Sequence, residues 1–385
     1  MERVKIHASI VDDATVEQVY RMAGSDAYKD CTVRVMPDCH VGKGCTIGSV
    51  IQYENRVVPS TVGMDISCGM AVAELGKVDI DLKELDDIIH HHIPSGQHIR
   101  IEPVKLMTNK FIAPIYDWMY IQCSLGTLGG GNHFIELDTD EEGYKYLVVH
   151  SGSRNLGKQV CEYWQEKAYA NLTDDSSERK AVIERLKAEG RQKDIQSELA
   201  KMKKPVTDKD LAYLEGKDME DYLHDMRLCQ EFASWNRWTI IEHIMKHANL
   251  ERVWGRFETL HNYIDIGNRL IRKGAISAQK GEKVLIPINM RDGSLICVGK
   301  GNSDWLYSAP HGAGRLMSRA QARESLNMTD YKTTMNGIYT TSVCEETIDE
   351  APMAYKPIDT ILHDIRDTVE VVKRIYPIYN FKAKE

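Results

Sequence analysis

Short apolar runs that end in glycine-rich loops recur along the chain, and this pattern constrains the fold more than any other feature. Residues 31–36, 57–63 and 146–150 have the alternating or continuous apolar pattern of β-strands. Each run leads into a loop in which acids, histidines or basic residues stand among glycines. Small-residue loops at strand ends commonly display active-site groups. The pattern therefore predicts a protein built on sheets, with its chemistry in the loops.

A charged segment at 158–250 interrupts the strand patterns. It carries helical periods at 182–186 and 195–202, followed by a more apolar helix over 228–245. We expect a helical insertion here, with a solvated outer face and an apolar helix packed on the body. Nothing in this segment indicates chemistry.

Strand patterns return after the charged segment, and further helical patterns lie both before and after that segment. The returning strands are predicted at 258–265, 270–275, 283–288 and 294–298, the last two as a hairpin. Further helices are predicted at 77–92, 316–326 and 358–374, the last of them long and amphipathic. The expected fold class is mixed α/β (α+β). We expect one domain over 1–385, with several sheets around a central cleft and the helical insertion at about 158–250.

Composition narrows the class of protein. Hydrophobic residues make up 42% of the 385 residues, enough for a large buried core. The formal net charge of -8 excludes a global basic field, so any nucleic acid would need a local basic surface. No apolar run reaches the roughly 20 residues of a membrane span, and we expect a cytoplasmic enzyme. Nine cysteines without paired CxxC spacing favour reduced thiols over disulfides or a zinc knuckle.

The loop Ser308 to Arg315 holds one histidine among small residues. Gly312 and Gly314 permit positive φ and a close approach of the backbone, so a phosphate ester can sit against the imidazole of His311. Arg315 adds a cationic fork suited to the same anion. A neutral imidazole can attack phosphorus and divide one difficult displacement into two easier ones. A structural histidine in a glycine turn is the alternative, and the octapeptide alone does not decide between them.

Five side chains with metal-binding atoms each lie at a strand end or a glycine-rich turn: Asp65, Cys68, His133, His150 and His261. A carboxylate and a thiolate three residues apart suit a borderline divalent metal better than magnesium. Five ligands exceed the needs of one tetrahedral ion and fit two ions with a shared ligand, for which the Cys68 thiolate is best suited. The alternative is a polar turn beside a core cysteine, with histidines bonded to turn carbonyls.

Two other histidine groups have spacings that do not favour a metal site. His90, His91 and His92 are adjacent, and neighbouring residues on a helix do not face one another. His243 and His247 are four apart, but Ile244 stands where an HExxH motif needs glutamate. We interpret both groups as surface histidines.

Seven segments, taken in order, are distinctive: MPDCHVGKGCTIGSV, VGMDISCGM, SLGTLGGGNHFIEL, VVHSGSRNLG, HNYIDI, RKGAISA and APHGAGRLMSR. Together they resemble the RtcB family of GTP-dependent RNA-splicing ligases. The resemblance covers residues from about 35 to 160 and from about 258 to the end. It is far more specific than any single short motif.

The resemblance implies a fold, an activity and a set of site residues. Family members use GTP to join an RNA 3′-phosphate, or a 2′,3′-cyclic phosphate after hydrolysis, to a 5′-hydroxyl end, in tRNA splicing or RNA repair. His311 would be the nucleophile that takes GMP, and Asp38 would orient its imidazole. Two Mn²⁺ ions would be held, one by Asp65, Cys68 and His133 and the other by Cys68, His150 and His261. Guanylate contacts would fall on Asn132, His133, Phe134, Ile135, Glu136, His261, Asn262, Pro287, Ile288, Asn289, Met290, Ser294, His311, Gly312, Ala313, Gly314 and Lys382.

The loop that would contact the nucleotide departs from the family pattern. Residues 287–291 read PINMR, where many family members have glycines, and Ile288 and Arg291 adopt positive φ only at a cost. Arg291 would either aid the triphosphate or crowd it. Arg154, Lys43 and Arg315 are candidate RNA phosphate ligands. A metal-dependent RNA-end phosphoesterase that does not seal is the alternative activity, and a noncatalytic RNA-binding protein is a third.

Overall fold

The computed structural model describes residues 2–104, 110–202 and 208–383. Over these residues the chain forms sixteen strands and ten α-helices. The strands are β1 (Val4–Ile6), β2 (Thr32–His40), β3 (Ile47–Gln52), β4 (Arg56–Val57), β5 (Gly69–Gly76), β6 (Phe134–Thr139), β7 (Lys145–Ser151), β8 (Leu214–Glu215), β9 (Gly255–Leu260), β10 (Asn262–Asp265), β11 (Leu270–Lys273), β12 (Ala275–Ser277), β13 (Lys283–Asn289), β14 (Gly293–Gly299), β15 (Ser308–Pro310) and β16 (Val369–Lys382). The helices are α1 (Asp13–Ala23), α2 (Leu82–His92), α3 (Trp118–Ser124), α4 (Arg154–Thr173), α5 (Ser176–Ala188), α6 (Ile195–Lys201), α7 (Gly216–His247), α8 (Arg319–Ser325), α9 (Met328–Thr334) and α10 (Ile358–Ile365).

The strands of the described residues form four sheets, two large and two small. The larger one has the order β13-β14-β16-β6-β7-β5-β9 and is antiparallel throughout. The second has the order β1-β2-β3-β11-β10, and only β1 and β2 run parallel. β12 pairs with β15, and β4 pairs with β8. The predicted mixed α/β fold class with several sheets is confirmed.

The 32-residue helix α7 packs on both large sheets. Its residues Tyr222 and Phe232 lie in an apolar cluster with Val33 and Ile51 of the five-stranded sheet. Ile240 and its neighbours lie in a second cluster with apolar residues of β6 and β7. Burying each such side chain contributes roughly 1.5–3 kcal/mol. The apolar helix expected at 228–245 is therefore present and holds the two sheets together.

The rest of the 158–250 segment has the expected helical and solvated character. α5 and α6 cover the periods at 182–186 and 195–202, and only Leu186 of the two helices is fully buried. Residues 203–207 of the segment lie outside the described residues. Whether the segment is an insertion in a single domain stays a prediction.

The helix predicted over 358–374 is wrong for its second half. α10 ends at Ile365, and β16 begins at Val369. Residues 369–376 are rich in β-branched side chains, which favour strands over helices. β16 pairs with β14 on one side and with β6 on the other, so its backbone hydrogen bonds join two parts of the large sheet.

Two smaller predictions also need correction. The run at 57–63 is not a strand beyond Val57, because Pro59 fixes φ and lacks an N–H, and a 3₁₀ turn forms over Pro59–Thr61. The helix predicted at 77–92 begins only at Leu82, where the Asp81 side chain caps the N–H groups of residues 83 and 84. The 283–288/294–298 hairpin and the helix within 316–326 are confirmed as β13–β14 and α8. None of the helices in the described ranges has the length and hydropathy of a membrane-crossing segment.

Candidate metal centre and nucleotide pocket

Four neighbouring strands of the large sheet bring four of the predicted metal ligands to one rim. The strands lie in the order β6-β7-β5-β9, and the register places His150 of β7 opposite Phe134 of β6. His133 directly precedes β6, Cys68 directly precedes β5, and His261 directly follows β9. Because antiparallel neighbours alternate their ends, these positions meet at one edge of the sheet.

The ligand atoms of this rim lie within a few ångströms of one another. Sγ of Cys68 is 3.4 Å from Nε2 of His133 and 3.2 Å from Nε2 of His150. Nε2 of His150 is 3.4 Å from Nε2 of His261, and Nε2 of His133 is 3.1 Å from Oδ2 of Asp65. Two triplets, Cys68/His150/His261 and Asp65/Cys68/His133, each have ligand atoms within 4.8 Å of one another. Cys68 is common to both triplets.

Backbone carbonyls orient two of the three imidazoles. Nδ1 of His133 lies 2.8 Å from the carbonyl oxygen of Leu128, and Nδ1 of His150 lies 3.1 Å from that of Asn132. A carbonyl only accepts, so Nδ1 carries the proton in both rings and Nε2 presents a lone pair to the cluster. Nδ1 of His261 is buried and has no hydrogen-bond partner among the residues that the structure describes.

Burial sets the protonation of these groups. It lowers the pKa of His150 and of His261 well below the usual value, and neighbouring histidines lower them further. Burial raises the pKa of the Cys68 thiol well above its usual value, and the Asp65 charge adds to this effect. These two imidazoles are therefore neutral at pH 7, and the thiol keeps its proton until a cation displaces it.

The donor set fits a borderline divalent metal. Imidazole nitrogens, a thiol and a carboxylate converge, and their mutual contacts are those of ligands rather than of a satisfied hydrogen-bond network. Soft sulfur and nitrogen donors disfavour magnesium and calcium, which prefer oxygen. The ligand atoms form two triplets that share Cys68, and each triplet is close enough together to hold an ion.

His311 stands directly beside this cluster. It follows β15, whose Pro310 pairs with Ala275 of β12, and its ring centroid is 4.9 Å from that of His261. Nδ1 of His311 lies 2.5 Å from Oδ2 of the fully buried Asp38, although the two atoms are not aligned as a hydrogen bond. The same oxygen accepts the backbone N–H groups of residues 311 and 312, at 3.0 and 3.2 Å. Asp38 therefore fixes the backbone at His311 and places a carboxylate beside its ring.

A cleft adjoins the metal-ligand rim and His311. The predicted guanylate contacts that line it are Asn132, Phe134, Glu136, His261, Pro287, Ile288, Asn289, Met290, His311, Gly312, Ala313, Gly314 and Lys382. Four others do not line it: His133 belongs to the rim, Ile135 lies in an apolar cluster, Asn262 accepts the N–H of Gly274, and Ser294 is buried in β14. Residues of both large sheets, such as Ile47 and Met70, complete the walls.

Glu350 organises the charges on one wall of this cleft. It is 3% exposed and bonds to Lys382, Tyr355, Arg315 and Arg319. Burial alone would raise the pKa of this carboxyl, but the charges of Lys382 and Arg319 lower it to about 2. Glu350 is therefore ionised in the folded protein and anchors the cations around it.

Comparison with known proteins identifies the family. The family described as tRNA-splicing ligase RtcB matches residues 18–120 and 119–383. The chain belongs to the RtcB family. It is 32% identical to RNA-splicing ligase RtcB of Escherichia coli K12, over 88% of this chain and 87% of that protein. It is 28% identical to tRNA-splicing ligase RtcB of Aeropyrum pernix, over 85% of this chain and 82% of that protein.

The loop that departs from the RtcB pattern adopts its turn without strain at Ile288 or Arg291, neither of which has positive φ. The required positive φ falls on Gly293, and the side chain of Asn289 accepts the N–H groups of Arg291 and Asp292. Arg291 pairs with Asp292 and does not line the cleft, whereas Ile288 and Met290 are buried and do. In this structure Arg291 therefore does not crowd the cleft.

The three candidate phosphate ligands differ in their exposure and in the hydrogen bonds that they already make. Lys43 is exposed. Arg154 is half-buried and donates to Thr127 Oγ1 and to the carbonyl of residue 96. Arg315 donates to the carbonyls of residues 317 and 349 and pairs with Glu350, so its guanidinium is already engaged. A role for each in holding RNA stays a prediction.

Several residues of the site are not predicted from the sequence. Glu350 and Tyr355 line the cleft from segments that carry no glycine-rich motif, and Arg319 lines it from the last position of the APHGAGRLMSR segment, where it is not a predicted contact. Asn236 and Arg237 of α7 contact the turns that hold the rim, although no motif in the 158–250 segment indicates chemistry. The signal that the sequence offers for Asn236 and Arg237 is that two adjacent polar residues interrupt the apolar pattern of this helix.

Proposed function

We propose that this chain is an RNA ligase that joins a 3′-phosphate or 2′,3′-cyclic phosphate end to a 5′-hydroxyl end through a guanylate bound to His311. One observation carries the proposal: His311 lies in the wall of a cleft, between the metal-ligand rim and the buried carboxylate of Asp38. The names of the RtcB relatives, RNA-splicing and tRNA-splicing ligase, support the same activity.

The reaction begins at Nε2 of His311. With the ring proton on Nδ1, which lies 2.5 Å from Oδ2 of Asp38, Nε2 would have a free lone pair. It attacks the α-phosphorus of GTP, so the N–P bond forms while the bond to pyrophosphate breaks. Asp38 balances the positive charge that develops on the ring. A 2′,3′-cyclic phosphate is first opened by water to the 3′-phosphate. The guanylate then passes to the RNA 3′-phosphate, and the 5′-hydroxyl displaces GMP as the new phosphodiester forms.

The rim residues would hold two Mn²⁺ ions, one at Asp65, Cys68 and His133 and the other at Cys68, His150 and His261. Bound ions would supply positive charge to the triphosphate oxygens as the leaving group departs. The chain contributes the orientation of each imidazole, through the carbonyls that fix the Nδ1 protons of His133 and His150.

The cleft residues would hold the nucleotide. Glu136 is 3% exposed and is bonded to Asn380, and burial raises its pKa above the usual range. Lys382, locked to Glu350, presents a fixed cation nearby. Backbone N–H groups of Gly312 to Gly314 would face phosphate oxygens. Lys43, Arg154 and Arg315 would contact RNA phosphates, which makes affinity fall with salt.

We extend the proposal to the organisation of the chain: a single cytoplasmic catalytic domain over 1–385 with the 158–250 segment as a helical insertion. The packing of α7 on both large sheets supports a single unit.

The test is transfer of label from α-³²P GTP in the presence of Mn²⁺. The wild-type chain should acquire acid-labile, alkali-stable label and should seal RNA with the stated ends. His311→Ala should do neither, and His92→Ala, an exposed histidine, should match the wild type. Label retained by His311→Ala would refute the proposed nucleophile. Hydrolysis of RNA ends without GTP and without joined product would instead establish a phosphoesterase.

A further inference from the structure

We propose that Asn236 and Arg237 of α7 are positioning residues that hold the metal-bearing turns of the rim in ligating geometry. We call this pair the 236–237 clamp. The inference depends on the proposed function, since it assigns a role toward the ions that the rim is proposed to hold. It also places part of the metal centre's support in the helical segment.

Arg237 joins two turns that carry metal ligands. Its side chain is fully buried, and NH1 donates to the carbonyl of Ser67 at 2.8 Å and to that of Ser151 at 2.9 Å. Ser67 directly precedes Cys68, and Ser151 directly follows His150. One guanidinium nitrogen thus fixes the separation of the two backbone segments from which the thiol and an imidazole project.

Ser67 is a position where such support is required. It adopts φ 60, a conformation that costs a residue with a side chain about 1 kcal/mol or more. Its N–H donates to the carbonyl of Asn262, the residue after His261. Fixing Ser67 therefore relates Cys68 to His261 as well as to His150.

The guanidinium itself is held rigidly. Nε of Arg237 donates to Oε1 of Glu258 at 2.9 Å, and Oε2 of Glu258 accepts from Ser234 at 2.7 Å. A planar fork with its charge balanced in this way loses little freedom when it binds two carbonyls. Lysine has a single nitrogen on a flexible stem and does not reproduce this geometry.

Asn236 fixes the third turn. Its Oδ1 accepts the N–H groups of Gly126 and Thr127, at 2.8 and 3.1 Å. Its Nδ2 donates to the carbonyl of Thr127 at 3.0 Å and to Oγ of Ser151 at 2.9 Å. Oγ of Ser151 donates to the carbonyl of Leu128, the same oxygen that orients His133. Asn236 therefore connects the glycine-rich loop and the orientation of His133 to the turn after His150.

The choice of partners separates this pair from ordinary buried polar residues. A buried polar side chain of α7 with no further role would need only some nearby hydrogen-bond donor or acceptor. The clamp instead contacts backbone directly next to Cys68 and His150, at residues 67 and 151, and the loop at 126–127 just before the Leu128 carbonyl that orients His133. Residues 67 and 126–127 lie outside the strands, and Ser151 is the last residue of β7, where it pairs with Gly69.

The test measures how tightly the protein, once stripped of metal, binds added metal ions. Isothermal titration of Mn²⁺ into wild type, Arg237→Lys and Arg237→Met, each after chelation and removal of metal, gives dissociation constants without any catalytic readout. Titration with Co²⁺ adds the thiolate-to-cobalt absorption of Cys68. Loss of outer partners of a metal site typically weakens binding about 10–100-fold. We expect a loss of this size for Arg237→Met, a smaller loss for Arg237→Lys, and a weaker cobalt–thiolate band in both.

Arg34→Lys is the matched control. Arg34 is also fully buried and also donates to backbone carbonyls, those of Val33 at 2.9 Å and Asp304 at 2.7 Å, away from the rim. It should lower the melting temperature and leave the metal affinity unchanged. If Arg237→Met does not fold, Arg237→Lys carries the measurement.

The outcomes separate the clamp from the proposed function. If wild type binds the ions and the folded Arg237 variants bind them within about twofold of its affinity, the clamp is overturned and the proposed function stands. Reduced stability with unchanged affinity likewise overturns the clamp, since it shows a structural role only. If wild type takes up neither Mn²⁺ nor Co²⁺, the metal centre of the proposed function is itself refuted.

Discussion

Two groups of histidines in this chain differ in whether their nitrogen atoms come close enough together to hold a metal ion. The rim histidines His133, His150 and His261 are buried, at 3–4% exposure, and come from three separate strand ends. The outer histidines are His90, His91, His92, His243 and His247, at the C-terminal ends of α2 and α7. The outer group has more imidazoles but, within the described residues, no triplet of ligand atoms close enough for an ion.

The difference lies in how the backbone aims each ring. His92 and His247 stack face to face at 3.6 Å, so their nitrogens do not point at a common centre. Consecutive helical residues diverge by about 100°, whereas antiparallel strand ends converge on one rim. Sequence adjacency is therefore a poor guide to a metal site, and strand register is a better one.

The largest expected effect is removal of the shared ligand. Cys68→Ser should abolish binding of both ions and reduce ligation about 10³-fold or more, since several kcal/mol of charge stabilisation depend on them. Cys161→Ser, another buried cysteine but in α4, is the control and should retain both properties. Metal analysis and sealing assays on purified protein measure this. Retained ligation by Cys68→Ser would place the site outside the rim.

Asp38→Asn tests whether the reaction at His311 depends on the carboxylate beside its ring as well as on the histidine itself. An amide can present its N–H₂ to Nδ1 of His311 and favour the wrong tautomer, as well as losing the charge balance. We expect formation of the guanylate on His311 to slow about 10²-fold or more in a single-turnover labelling assay. GTP affinity should change little. Equal labelling rates would show that the ring needs no anchor.

The number of protons released on metal binding distinguishes the buried ligand cluster of the rim from a cluster of exposed side chains. Burial lowers the pKa of His150 and of His261, so these rings are already neutral at pH 7 and release no proton. It raises the pKa of Cys68, so the thiol must lose a proton when metal binds. We expect about one proton released at this ligand and an affinity that rises about tenfold per pH unit between pH 7 and 8. Calorimetry in buffers of different ionisation enthalpy gives the proton count, and a value near zero would mean that the thiol is not a ligand.

The smallest expected effect is that of the outer histidines. The double variant His92→Ala/His247→Ala removes their stack, and it should leave Mn²⁺ affinity and ligation within about twofold of wild type. Its stability should change by less than about 1 kcal/mol, because His92 is exposed and His247 half-buried. A large loss of metal binding here would reverse the comparison between the two groups.

The glycine-rich motifs allow the rim and the cleft to be predicted from sequence, because each places a reactive side chain at a strand end. Side chains that support the site are less accessible to such reasoning. Arg237 contacts residues 86 and 170 positions away along the chain, and Glu350 lies in a segment without a motif, so no local period reveals their partners. The strand at Val369 is wrongly predicted as helix for a related reason, since pairing with β14 and β6 overrides an amphipathic period.

The central place of β16 has a consequence for how the protein is made. This strand, ending at Lys382, joins the β13–β14 hairpin to the strands that carry the rim. While a ribosome still holds these residues in its exit tunnel, the large sheet stays in two parts and the cleft has no Lys382 wall. We therefore expect a nascent chain to be unable to react with GTP until synthesis has passed residue 382 and the last strand has been released, so that premature activation during translation is prevented by topology.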